Sequence, residues 1–99
     1  MRAQAEQLLK GETITFKVKG NSMYPIIFSG ETVTVEPIVD KCSLEPYDVV
    51  LCKVSGRYYL HTITNIRLDA EGLTFEISNC KRHVIGWTQA VYGLVINVE

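Results

Sequence analysis

The chain has 99 residues, of which 46% are hydrophobic and 21% are charged. A chain of this size buries one hydrophobic core and has no length for a second, so we expect a single domain over residues 1–99. The net charge of −1 provides no general attraction to nucleic acid or to an anionic membrane surface, and no nucleic-acid partner is expected.

The absence of apolar targeting segments and the spacing of the cysteines further limit the class of protein that the sequence can encode. No apolar run approaches the roughly 20 residues of a membrane-spanning helix, and residues 1–10 lack the apolar stretch of a secretory signal. We therefore expect no transmembrane segment and a cytoplasmic location. Cys42, Cys52 and Cys80 are odd in number and form no CxxC pair, which fits neither a disulfide framework nor a zinc site. Neither a metal ion nor another cofactor is predicted.

The hydrophobic pattern predicts one helix followed by strands. Residues 2–9 are typical of a short helix that ends near Gly11. Alternating or continuous apolar runs predict strands over residues 14–18, 32–35, 49–52, 58–66, 73–77 and 91–98. The run at 49–52 has no polar positions, which indicates a strand covered on both faces. Six or so short strands favour a mainly β fold, either a compact, partly closed β-barrel or a folded antiparallel sheet, over a βαβ architecture.

Three features of the C-terminal third leave alternatives open. Strand 91–98 is either an inner strand or an edge that a second copy of the chain covers, so a homodimer is one expectation. Trp87 and Tyr92 are expected in the core rather than in a substrate groove, because large aromatic side chains are usually buried. Residues 81–83 (KRH) are interpreted as a solvated loop.

A serine follows the first predicted strand, within residues 18–25 (VKGNSMYP). Gly20 permits a turn and Pro25 stops regular structure, so Ser22 is expected at the exit of the strand. A hydroxyl in that place either acts as a nucleophile or caps the turn that follows. A serine nucleophile needs a neighbouring base to remove its proton.

His61 is the candidate base. Period two places its side chain on the same face of its strand as Tyr59 and Ile63. A histidine on an apolar face is either a structural, hydrogen-bonded residue or a general base, since its ordinary pKa of about 6.5 suits proton transfer near neutrality. Ser22 and His61 therefore form a candidate dyad.

Three segments in order resemble the serine peptidases that include type I signal peptidases and the self-cleaving LexA and UmuD proteins. Residues 18–25 are similar to the nucleophile box, in which Ser-Met follows a glycine. Residues 28–35 (FSGETVTV) and 44–51 (LEPYDVVL) are similar to the two Gly-Asp strands of these proteins. The chain departs from the pattern at Glu31, where aspartate is usual, and at Tyr47, where glycine is commoner.

The resemblance implies a soluble serine endopeptidase with a LexA/signal-peptidase-like fold that cleaves a peptide or protein substrate in trans. Ser22 would be the nucleophile, and His61 falls where LexA-type relatives carry a lysine base and some signal peptidases carry histidine. The backbone amides of Asn21 and Ser22 would hold the oxyanion. Met23 and Tyr24, which follow the serine, are expected to contact substrate.

The group that should orient His61 is the main departure. Histidine-type relatives supply an aspartate where this chain reads Ser78-Asn79-Cys80, so Asn79 is the candidate for orienting the imidazole ring. Asp48 and Glu76 are acidic alternatives.

The missing aspartate beside His61 is also compatible with a second function. The alternative is a non-catalytic or weakly catalytic, UmuD-like dimeric module that binds a protein partner.

Overall fold

The computed structural model describes residues 1–20, 23 and 26–99, and within them the chain forms one short helix and an antiparallel sheet. The elements are α1 (Arg2–Leu9), β1 (Ile14–Lys17), β2 (Thr32–Pro37), β3 (Val49–Val54), β4 (Arg57–Asp69), β5 (Gly72–Ser78), β6 (Val84–Thr88) and β7 (Val91–Val98), with a 3₁₀ turn over Lys41–Ser43 between β2 and β3. The predicted mainly β fold with a short N-terminal helix is confirmed.

The strands lie in the order β1-β2-β7-β3-β4-β5-β6, and each neighbouring pair is antiparallel. The described strands leave β1 and β6 as the two edges, so the sheet is not fully closed. β7 lies between β2 and β3 rather than at an edge. Of the two alternatives, the structure shows the inner strand, and the expectation of a homodimer loses the support of an uncovered last strand, because strands of the same chain pair with both edges of β7.

The sheet folds over two clusters of buried apolar side chains. The first, the helix-side cluster, contains Ala5, Leu8, Ile14, Val18, Met23, Ile27, Val33, Val35, Leu51 and Leu60. The second, the hairpin-side cluster, contains Leu44, Val50, Cys52, Val54, Ile63, Phe75, Ile77 and Val91. Alternate residues of β3 enter alternate clusters, which confirms that this strand is covered on both faces. β3 thus forms the wall between the two clusters.

Helix α1 docks on β7 at a glycine. Leu8 is 2% exposed, and a Cβ added at Gly93 would lie 2.7 Å from its Cδ1 atom and 2.5 Å from Cγ1 of Val35. Distances this short are far inside van der Waals contact, so only glycine fits at this position without a shift of the Leu8 and Val35 side chains. Because glycine has no side chain, α1 packs directly against β7 at Gly93.

Strand β6 was not predicted, and the expectation that Trp87 lies in the core is wrong. Trp87 is 36% exposed, and the guanidinium carbon of Arg67 lies 4.6 Å from the centroid of its ring. Trp87 belongs to neither of the two buried clusters. Tyr92 is partly buried and packs against the helix-side cluster, in agreement with the expectation.

Strands β2 and β3 begin with the same kind of turn. Glu31 N donates to Phe28 O at 3.1 Å, and Asp48 N donates to Glu45 O at 3.2 Å. The residue before each acid has a positive φ, 90° at Gly30 and 75° at Tyr47, which is the type II pattern.

Each acid also closes its turn with its own side chain. Phe28 N donates to Glu31 Oε1 at 2.6 Å, and Glu45 N donates to Asp48 Oδ2 at 2.8 Å. The segments Gly30-Glu31 and Tyr47-Asp48 therefore form the same kind of turn, each closed by the carboxylate of its acidic residue. Tyr47 occupies a backbone conformation that favours glycine.

The strain at Tyr47 gives a stability prediction. Replacement of Tyr47 by Gly and by Ala removes the same aromatic ring, but only Gly adopts a positive φ without steric cost. We expect Tyr47→Gly to have a free energy of unfolding about 1 kcal/mol higher than Tyr47→Ala, measured by urea denaturation. At the exposed strand residue Thr15, the order should invert, with Gly less stable than Ala. Equal stability of the two Tyr47 variants would contradict the assignment.

Candidate functional site

A cavity of about 540 Å³ lies beside the edge strand β1 and the first half of β4. Its described lining comes from α1 and the preceding residue (Met1, Gln4), from β1 and the residues after it (Phe16, Lys17, Val18, Lys19, Met23) and from β4 (Tyr58, Tyr59, Leu60, His61). The predicted base is therefore in the wall, together with the residue that directly follows the predicted nucleophile.

The segment that carries the serine is fixed at both ends. Val18 N donates to Glu31 O at 2.9 Å, and Gly30 N donates to Val18 O at 2.8 Å, which closes the connection from β1 to β2 at its base. Inside this closure, Gly20 N donates to Ser29 Oγ at 3.2 Å. Gly20 has a φ of 89°, which explains why a glycine precedes the serine segment.

Two side chains anchor the middle of the same connection in the core. Met23 is 1% exposed and Ile27 is fully buried, and both belong to the helix-side cluster. Ile27 N donates to Met23 O at 2.8 Å, so the two anchors are also joined through the backbone. Burial of two large side chains contributes several kcal/mol, of the order of 1.5–3 kcal/mol each, toward holding this connection against the sheet.

His61 is buried, with 4% of its surface exposed, on the face of β4 that also carries Tyr59. The two rings stack with centroids 5.0 Å apart and an interplanar angle of 28°, which confirms the predicted shared face. The Nδ1 atom lies 2.7 Å from the carbonyl oxygen of Leu60. A carbonyl oxygen only accepts, so Nδ1 carries the proton and Nε2 of the neutral ring keeps its lone pair.

Burial lowers the pKa of His61 below its ordinary value of 6.5, because the charged ring loses hydration. The hydrogen bond to the Leu60 carbonyl acts in the opposite direction and is the smaller effect. The imidazole is therefore neutral at pH 7 and able to accept a proton at Nε2.

Asn79 and His61 have other partners in the structure. Asn79 Oδ1 accepts from Lys81 N at 2.9 Å and from His83 N at 3.0 Å, so the side chain closes its own turn. The position at Nδ1 of His61 that an orienting group would take is occupied by the Leu60 carbonyl. Sequence reasoning missed this partner because a backbone carbonyl is present at every residue and gives no sequence signal.

The two acidic alternatives are engaged in local contacts. Asp48 accepts from the backbone of the turn before β3, as described above. Glu76 Oε1 accepts from Thr64 Oγ1 at 2.8 Å, and Thr64 Oγ1 lies 2.8 Å from Ser78 Oγ. The carboxylate of Asp48 thus stabilises a turn, and the carboxylate of Glu76 links β5 to β4.

Three of the predicted site residues, Asn21, Ser22 and Tyr24, lie outside the described residues. Their roles as oxyanion donors, nucleophile and substrate contact stay predictions. Met23 is described: it lines the cavity and is at the same time buried in the helix-side cluster. Its burial leaves about 1% of its surface exposed, and its contact with substrate stays a prediction.

The described residues contain no group of three His, Cys, Asp or Glu side chains arranged to hold a metal ion. Cys52 is buried, and burial raises the pKa of its thiol to about 12, so it is protonated at neutral pH and unreactive.

Sequence reasoning also missed Lys17 and Lys19. Both residues line the cavity and both are exposed. Their spacing of two residues around the buried Val18 was the available signal, because period two places them on one side of the chain that leads to the serine.

Comparisons of the chain with protein-family models, with curated proteins and with solved structures gave no match. The resemblance to signal peptidases and LexA-like proteins rests on the motifs of the chain alone. Across the described part of the chain, no helix has the length and hydropathy required to cross a membrane.

The lowered pKa of His61 predicts a pH dependence of stability. Between the folded pKa and 6.5, the unfolded chain binds a proton that the folded chain excludes, so the free energy of unfolding falls as the pH drops below 6.5. We expect His61→Gln to lose less stability than the wild type between pH 7.5 and pH 5, measured by urea denaturation.

His83→Gln is the matched control, since His83 is exposed and the variant should follow the wild type. A His61→Gln variant with the wild-type pH dependence would show that burial of this imidazole is not what couples stability to pH.

Proposed function

We propose that this chain is a serine endopeptidase in which Ser22 is the nucleophile and His61 is the general base. The observation that carries the proposal is that Met23, the neighbour of Ser22 in the chain, and His61 line the same cavity. Two segments 38 residues apart in sequence thus meet at one site, as the ordered motifs require.

Fixed neighbours support the assignment of the nucleophile. The peptide bond limits the distance between the Cα atoms of Ser22 and Met23 to about 3.8 Å, and Met23 is anchored in the core. On the other side, Gly20 is held by its hydrogen bond to Ser29. The described residues on either side of the predicted nucleophile are thus held by a hydrogen bond and by burial.

The tautomer of His61 supports its role as base. With the proton on Nδ1 directed to the Leu60 carbonyl, Nε2 accepts the proton of the Ser22 hydroxyl as Oγ attacks the carbonyl carbon of the scissile peptide. His61 then donates this proton to the leaving amine, and the C–N bond breaks to give an acyl-enzyme. Water repeats the sequence with His61 as base, which releases the second product and restores the hydroxyl.

The backbone amides of Asn21 and Ser22 are proposed to hold the oxyanion. The orienting partner of His61 is a neutral carbonyl, whereas a carboxylate would also stabilise the imidazolium by its charge. We therefore propose a slower enzyme than one with a complete Ser-His-Asp triad, in which the Leu60 carbonyl performs the orienting task first considered for Asn79.

The sheet edge supports a peptide as the substrate. β1 is an edge strand, and residues 16–19 of this edge line the cavity. An uncovered edge presents backbone N–H and C=O groups that pair with an extended chain. A peptide bound along β1 would be brought to Ser22 at the end of the same segment.

An acylating probe tests the proposal. A fluorescent fluorophosphonate should label the wild type and leave Ser22→Ala unlabelled, and His61→Ala should reduce the labelling rate about 100-fold or more, the usual contribution of a general base. The wild-type rate should fall at acidic pH with an apparent pKa below 6.5, since protonated His61 accepts no proton.

Matched variants separate this result from nonspecific labelling. Ser43→Ala and His83→Ala change exposed residues of the same types and should be labelled at the wild-type rate. Circular dichroism should show that every variant is folded. A folded wild type that remains unlabelled from pH 6 to pH 9 would exclude the peptidase and favour the non-catalytic, UmuD-like binding module.

A further inference from the structure

The rim of the cavity carries positive charge although the chain as a whole has a net charge of −1. Lys17 and Lys19 are both in the lining, and the described lining residues include no carboxylate. Lys53 adds a third ammonium group near the same wall, with Nζ 5.1 Å from the ring centroid of Tyr58. The charge at the cavity thus differs in sign from the charge of the chain.

The two rim lysines are not neutralised within the described part of the protein. The ion pair found there joins Arg2 to Glu6 at 3.2 Å on the surface of α1, and neither Lys17 nor Lys19 takes part in one. Both side chains are exposed. Their charges are therefore available to a ligand.

Behind the lysines the cavity wall is apolar. The apolar and aromatic residues of the lining include Phe16, Met23, Tyr58 and Leu60, of which Phe16 and Tyr58 are only partly buried by the protein itself. A ligand side chain placed between them would remove further apolar area from water. The cavity therefore combines an apolar wall with a cationic rim.

We infer that the site selects an extended peptide segment in which a large apolar residue is accompanied by aspartate or glutamate within one or two positions. The apolar side chain occupies the space between Phe16 and Tyr58, and the carboxylate pairs with Lys17 or Lys19. This inference rests on the proposed function for the identity of the ligand as a peptide, and it adds the class of sequence that is bound. Charge complementarity determines which peptide the cavity binds, because the lysines at its rim attract acidic segments and repel basic ones.

Binding to a variant that cannot turn over tests the inference separately from catalysis. The probes are three fluorescein-labelled decapeptides in a Gly/Ser background with a central Leu-Ala, flanked on both sides by Glu, by Gln or by Lys. Their dissociation constants for full-length Ser22→Ala are measured by fluorescence anisotropy in 20 mM and in 200 mM NaCl.

We expect the Glu peptide to bind about tenfold more tightly than the Lys peptide at low salt, and this ratio to shrink at high salt as the exposed charges are screened. The Lys17→Glu/Lys19→Glu double variant in the Ser22→Ala background should invert the order of the two peptides. The control is Lys10→Glu/Lys81→Glu, which changes the net charge by the same amount at exposed residues outside the lining and should keep the original order.

Two outcomes would overturn the inference: equal or undetectable binding of the Glu and Lys peptides, or the same loss of preference in both double variants. These results are distinct from failure of the peptidase proposal. An unlabelled wild type whose Ser22→Ala variant still prefers the Glu peptide would refute catalysis and retain the binding preference, whereas a labelled wild type without a preference would do the reverse.

Discussion

The position of β7 between β2 and β3 is the constraint on which the rest of the structure depends. The connection that carries Ser22 belongs to the β1–β2 half of the sheet, and His61 belongs to the β3–β4 half. Only the last strand of the chain joins these halves within the described sheet, and it is also the platform on which Leu8 docks at Gly93. The arrangement of the cavity walls therefore depends on the C-terminal strand, which couples the candidate site to the whole fold.

The sequence predicts the local elements well because one buried face imposes a period of two on each strand. The shared face of Tyr59 and His61 follows from this period, whereas the two-sided strand β3 follows from a continuous apolar run and the helix at residues 2–9 from a helical segment that ends near Gly11. Strand β6 was missed and the placement of β7 was left open, each for a physical reason. β6 is a short edge strand interrupted by Gly86, so it lacks a clear alternation, and the placement of β7 depends on pairings with residues of β2 and β3 that are distant in sequence.

Sequence reasoning proposes site residues where side chains carry the chemistry, and it misses the contributions of the backbone and of the surroundings. The serine and the histidine are recognisable residue types at recognisable spacings. The partner of Nδ1 is a carbonyl that every residue possesses, and the lowered pKa of His61 is a consequence of burial that only the assembled sheet produces. Lys17 and Lys19 are ordinary surface residues until β4 is placed opposite them.

The imidazole of His61 and the charged rim can be altered independently, because His61 is buried whereas Lys17 and Lys19 are exposed. Burial keeps His61 neutral, which a general base requires, whereas exposure keeps Lys17 and Lys19 hydrated and charged, which attraction of a carboxylate requires. A lysine as deeply buried as His61 would tend to lose its proton, and a fully exposed His61 would be partly protonated near pH 6.5. One cavity thus combines a buried imidazole with exposed cations, so a charge reversal at the rim leaves the hydrogen-bond partner of the imidazole in place.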